Sequence, residues 1–127
     1  GAARPTVPNP CALITTADAA AAIGAQPSGQ PMSVAQPFGI MLCTYTAPGQ
    51  GSLGIAVGPA DTLRNGASVT PSPVAGLGDE AIWSPPATLF VRHASTGIEL
   101  DLSRYAGDDA TTKQAAIALA RAALTRV

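Results

Sequence analysis

Residues 97–103 alternate strictly: Ile98, Leu100 and Leu102 fall on one side of an extended chain, and Glu99, Asp101 and Ser103 on the other. A strand buried on both faces would read as a continuous apolar run. This one therefore belongs to an antiparallel sheet with one covered face and one face, carrying Glu99, Asp101 and Ser103, in water. A second strand, Thr88–His93, precedes it and joins it through Ala94-Ser95-Thr96. Upstream, Ile40–Thr46 places Met41, Cys43 and Tyr45 on one face, then turns through Pro48-Gly49-Gln50-Gly51 into a return strand. On that return strand Leu53, Ile55 and Val57 alternate with Gly54, Ala56 and Gly58. The second set is small enough to let a helix or a ligand approach the sheet closely.

The segment Gly76-Leu77-Gly78-Asp79-Glu80-Ala81-Ile82-Trp83 reads as a glycine-kinked turn entering a short fifth strand, with Ile82 and Trp83 on opposite faces, before Pro85-Pro86 ends it. Residues 26–37 read as a loop or an irregular edge strand, and Asp61–Gly66 as at most one helical turn. Thr15-Thr16-Ala17-Asp18 is a capping box opening a two-turn helix that Gly24 stops. The C-terminal helix carries an apolar stripe through Ala116, Ile117, Leu119, Ala120, Ala123, Leu124 and Val127. Gln114, Arg121 and Thr125 lie on its other side, and Asp108-Asp109 suits its positive end. The expected fold is α+β: an antiparallel sheet of about five strands, with the short N-terminal and long C-terminal helices packed on one face. The C-terminal helix is expected to provide most of the large apolar contacts. Residues 11–127 form a single domain, and Pro5, Pro8 and Pro10 make residues 1–10 an extended linker.

Only 4% of the chain is aromatic, and alanine supplies much of its 46% hydrophobic content, so the core is thin and a covalent staple would be useful. The two cysteines, Cys11 and Cys43, lack the clustering of a zinc site or a C-x-x-C redox pair. They form either an export-compartment disulfide or two buried free thiols of a cytosolic protein. Their positions, one before a helix and one on a strand, favour the disulfide.

Charged residues are 12% of the chain: seven basic side chains, scattered singly, and eight acidic ones. No basic stripe is present to neutralise nucleic-acid phosphates or to hold an anionic membrane surface, so neither partner is expected. No apolar run reaches the roughly 20 residues of a transmembrane segment. Asp108-Asp109 alone cannot supply the alternating acids that a calcium loop requires, and Gly76-Leu77-Gly78 is too short for a phosphate cradle. Neither metal nor cofactor is expected.

A nucleophile needs a nearby base, and the chain's one histidine is His93, at a strand end beside Arg92. A hydrolase could be centred on His93 with Asp79 or Glu80. Against this, Asp79 suits a turn cap, Glu80 suits a cross-strand pair with Arg92, and a strand-end histidine suits water. Tyr45 and Trp83 are large amphipathic side chains that either anchor a ligand or supply bulk to the core. The candidate ligand-binding residues are thus Tyr45, Trp83, Arg92 and His93. The ligand is expected to be a small apolar molecule or an envelope protein, in a groove between sheet and helices.

Asn9-Pro10-Cys11-Ala12-Leu13-Ile14-Thr15-Thr16-Ala17-Asp18, Cys43-Thr44-Tyr45, Gly76–Trp83 and Ala118–Leu124 together resemble a family of small secreted lipoproteins, known mostly from actinobacteria and classed as a domain of unknown function. The family usually has a fuller helix where Asp61–Gly66 stands. The resemblance implies an exported, non-catalytic domain of the cell envelope, periplasmic or extracellular, with a Cys11–Cys43 bridge and an anchor upstream of residue 1. It carries over no catalytic residue. Thiol labelling under denaturing, non-reducing conditions should find no free cysteine; two reactive thiols would remove the ground for export.

Overall fold

Asn9 begins the first helical turn: its side-chain oxygen accepts the Cys11 N–H at 2.9 Å, and Pro10 fills the first helical position, where no N–H is needed. In this computed structural model, which describes residues 9–28, 33–47, 51–64, 72–84, 88–102 and 109–126, that turn is α1 (Pro10–Leu13). Asn9 and Pro10 are thus part of the fold, and Pro10 is buried. The turn residues Pro48–Gln50 and Pro85-Pro86 lie outside the described residues, as do Asn65-Gly66, Ser103, Asp108, Val127 and residues 1–8.

Helix α2 (Thr16–Ile23) starts at the capping box: the Asp18 N–H donates to the Thr15 hydroxyl at 3.1 Å, and the Thr15 N–H to the Asp18 carboxylate at 3.0 Å. Gly24 ends it in the left-handed conformation, φ 85°. The strands are β1 (Ser33–Gln36), β2 (Ile40–Ala47), β3 (Gly51–Pro59), β4 (Ser72–Pro73), β5 (Glu80–Ser84), β6 (Thr88–His93) and β7 (Thr96–Asp101). Among the described residues they form one antiparallel sheet of seven strands, in the order β1-β2-β3-β7-β6-β5-β4.

The class is the expected α+β, with seven strands in place of about five. The two further strands are the edges: β1, within residues 26–37 where a loop or an irregular edge strand was expected, and β4, where none was expected. Four residues and two residues are too few to show a period of two, and both are largely exposed. The β6–β7 turn is also tighter than expected, since Thr96 already pairs with His93 and Ala94-Ser95 alone remains.

One face of the sheet is covered by α1, α2 and α4 (Asp109–Leu124). Tyr45, Leu53, Ile55, Leu89, Ile98 and Leu100 are all at most 1% exposed beneath them. Cys11 is bonded to Cys43 in the middle of β2, with the two Cα atoms 5.5 Å apart. Closing that loop stabilises the fold by roughly 3–4 kcal/mol in the chain-entropy account.

The residues that α4 buries are mostly alanine: Ala116, Ala120 and Ala123 are fully buried, with Leu119 beside them. Ile117 and Leu124 flank this stripe, half-buried, while Gln114, Arg121 and Thr125 face solvent. The expectation that α4 supplies the large contacts is therefore corrected. The large side chains come from the sheet, and the alanines let the helix axis sit close above them.

The distinctive glycine segment fixes the opposite end of the sheet. A Cβ on Gly78, at φ 57°, would collide with the Arg92 carbonyl oxygen, and Leu77 is buried. The Asp79 N–H donates to that same carbonyl at 2.8 Å. Its carboxylate accepts the Ala94 N–H at 2.7 Å, capping the β6–β7 turn where Ala94 takes φ 54°.

Leu119→Ala should cost about 2–4 kcal/mol through lost burial and a residual cavity. Ala120→Leu should cost about 1–3 kcal/mol by overfilling the helix–sheet contact. Arg121→Ala should stay within about 0.5 kcal/mol. Denaturant melts of the three variants check the ranking; equal losses would mean that α4 is peripheral.

Candidate functional site

The residues singled out in the sequence are not brought together. Tyr45 is 1% exposed under the helices, where its hydroxyl donates to the Ile14 carbonyl. Burial and the nearby Asp18 charge push that phenol above its ordinary value. Trp83 is 5% exposed on the same covered face. Both fill the layer between sheet and helices in which a ligand groove was expected. Arg92 lies on the other face, bound to Asp61 at 2.9 Å and, more loosely, to Glu80 at 3.6 Å. His93 is exposed at the end of β6. Asp79 caps the hairpin turn and Glu80 pairs with Arg92, so both carboxylates of the hydrolase alternative are engaged elsewhere.

The concave surface lies on the sheet's other face. Register aligns a row across it: Val34 beside Leu42, then Ala56, Glu99, Phe90 and Ile82. At the right of this row, α3 (Ala60–Arg64) sits directly on the sheet. A Cβ on Gly97 would lie 2.9 Å from the Ala60 Cα, so glycine is what permits this approach. Leu63 of α3 packs with Phe90 and Ile82 there in a second small core.

At the left the row stays open. A 3-10 turn, Pro37–Gly39, stands at its edge and presents Phe38, 82% exposed at φ 66°. Val34 is 52% exposed next to it. A left-handed conformation in a phenylalanine costs roughly 1 kcal/mol or more, and here it holds an aromatic ring in water.

Two shallow depressions meet along this open stretch. One, of about 280 Å³, runs over Leu42, Thr44, Ser52, Gly54 and Asp101. The other, of about 420 Å³, extends from Pro37, Phe38 and Ile40 to Thr62 and Leu63. Leu42, Ala56 and Glu99 line both.

Glu99 is the one charged member of the aligned row. The alternation in β7 places it in water, but Ala56, Phe90 and the α3 side of the groove leave it only half-exposed. Burial pushes its carboxyl above the ordinary value, and Asp101, two residues along on the same face, adds to the shift. The small face of Gly54, Ala56 and Gly58 was legible in the sequence as one open to close approach, but Leu42, Ala56, Glu99 and Phe38 were not legible together as a site. They lie on four separate elements, and cross-strand register is what assembles them.

No protein-family model matches the chain, and comparisons with curated proteins and with solved structures found no match either.

Because folding raises the Glu99 value, the stability linked to its neutral form is fully present below the ordinary glutamate range. That stability is lost as pH rises through the folded value. Glu99→Gln should thus melt close to the parent near about pH 3 and above it near about pH 7. Thermal melts across that range check this; a variant less stable at neutral pH would show that the carboxylate is held by favourable contacts.

Proposed function

We propose that this chain is an exported, non-catalytic binding domain of the cell envelope, and that the open half of the sheet is its binding face. The observation that carries the reading is the partly exposed strip from Phe38 through Leu42 to Ala56, which no described element covers, while Phe90 and Ile82 of the same row lie under α3. An exposed aromatic beside a concave apolar strip is the usual form of a recognition surface. Two further features agree with it. The Cys11–Cys43 bond is stable in an oxidising compartment, and His93 stands in water with Asp79 and Glu80 turned to other partners.

The same reading takes the family resemblance of Asn9–Asp18, Cys43–Tyr45 and Gly76–Trp83 as membership, with a lipid anchor upstream of residue 1. Among the described residues no helix is long and apolar enough to cross a membrane. Partner chemistry follows from the strip: a small, largely apolar ligand seated on Leu42 and Ala56.

Native mass spectrometry of protein purified from its own envelope should show a bound small molecule. Ala56→Trp, which fills the strip, should remove that adduct, and His93→Ala should leave it. An adduct retained by Ala56→Trp would place the binding site elsewhere; one lost with His93→Ala would revive an active site at the β6–β7 turn.

A further inference from the structure

Four observations converge on the open groove. Its floor is apolar, formed by Leu42 and Ala56, and one end is walled by Ile40 and the exposed Phe38. At the junction of the two depressions stands Glu99, half-buried and with no hydrogen bond stabilising its charged form among the described residues. Beyond it the lining turns polar, through Thr44, Ser52 and Asp101. Among the described side chains, the neighbouring cation on this face, Arg92, is taken by Asp61 and Glu80.

A carboxylate with apolar neighbours gives the groove a negative field that water screens poorly. An anionic or neutral occupant would leave that charge desolvated and unpaired, which is costly. A bare metal ion is no better suited, since no group of three or more ligating side chains forms among the described residues. What satisfies both parts is a molecule with one cationic end and one apolar end.

We propose that the groove binds a small organic cation bearing an apolar chain, its ammonium head on Glu99 and its chain along Ala56 and Leu42 towards Phe38. This rests on the reading of the open sheet half as the binding face. From Glu99 on β7 to Leu42 on β2 the distance is two strand spacings, roughly 10 Å, within reach of a medium-length alkyl chain. The two linked depressions together fall in the size range of small-ligand sites. The head makes a charge-assisted contact at a site already half desolvated, and the chain covers apolar surface that is now wet.

The test is a titration of the isotope-labelled, full-length protein with octylammonium, octanoate and octanol, followed by amide NMR. Octylammonium should move the signals of Leu42, Ala56 and Glu99, and bind roughly five- to tenfold more tightly than the other two. Glu99→Gln, expected to be at least as stable as the parent at neutral pH, should abolish that preference; Arg121→Ala on the far side should keep it. If all three probes bind the groove equally, or if Glu99→Gln keeps the preference, the cation assignment is overturned while the binding face stands. If no probe moves the groove signals, the assignment is overturned, and the adduct experiment on Ala56→Trp decides the face independently. Self-association that Phe38→Ser abolishes would give the face to a second copy of the chain and overturn the proposal as well.

Discussion

The helical layer depends on a junction at which residues 9–18, the middle of β2 and the end of α4 meet. Neither α1, with four residues, nor α2, with eight, is long enough to persist alone in water. The disulfide fixes Cys11 over β2, and the Tyr45 hydroxyl, two residues along the same strand face, holds the Ile14 carbonyl that the chain exposes between the two helices. Arg126 then closes the junction from the other side. Its guanidinium donates to the Leu13 carbonyl at 2.8 Å and meets the Asp18 carboxylate at 2.7 Å. Partial burial raises the Asp18 value. The Thr15 N–H, the Arg126 guanidinium and the Thr15 hydroxyl outweigh it, and the net shift is downward. One carboxylate therefore caps α2 and anchors α4, and that stability is lost as pH falls through its lowered value.

A thin core is compatible with a well-ordered sheet because the helices supply small side chains and the sheet supplies large ones. Ala19, Ala116, Ala120 and Ala123 present almost flat surfaces, into which Ile55, Leu89, Ile98 and Leu100 project. An interface of this kind gains its stability from close approach, so added volume on the helices is as harmful as lost volume on the strands. On the other face, among the described residues, α3 covers one half only. That asymmetry leaves the second half as a groove.

Much of the fold was legible in local pattern. Alternation at Ile98, Leu100 and Leu102, the Thr15–Asp18 box and the Glu80–Arg92 pair follow from neighbours within a few residues or from one hairpin register, whereas the turn that Asp79 caps is the β6–β7 turn fifteen residues on, not the glycine turn before it. The edge strands carried too little sequence to show a period. The groove failed for a different reason: Leu42, Ala56 and Glu99 become neighbours only through the β2–β3 and β3–β7 registers, and nothing near Glu99 in the chain distinguishes it from a solvated strand residue. The large amphipathic residues Tyr45 and Trp83 drew attention by type, whereas in a core this poor in aromatics they serve as filling.

The strand order has a consequence for how the groove comes into being. β1-β2-β3 and β4-β5-β6-β7 are two successive meanders, each built from sequence neighbours, and they are sewn together along β3 and β7. Pairs such as Ala56 with Glu99 and Gly54 with Asp101 cross that seam. Leu42 and Ala56 belong to one meander and Glu99 to the other, so neither half contains the groove by itself. A molecule lying across it would be a stitch over the seam, binding only the joined state. By mass action it would then tighten the connection that is formed across the greatest length of chain in the sheet.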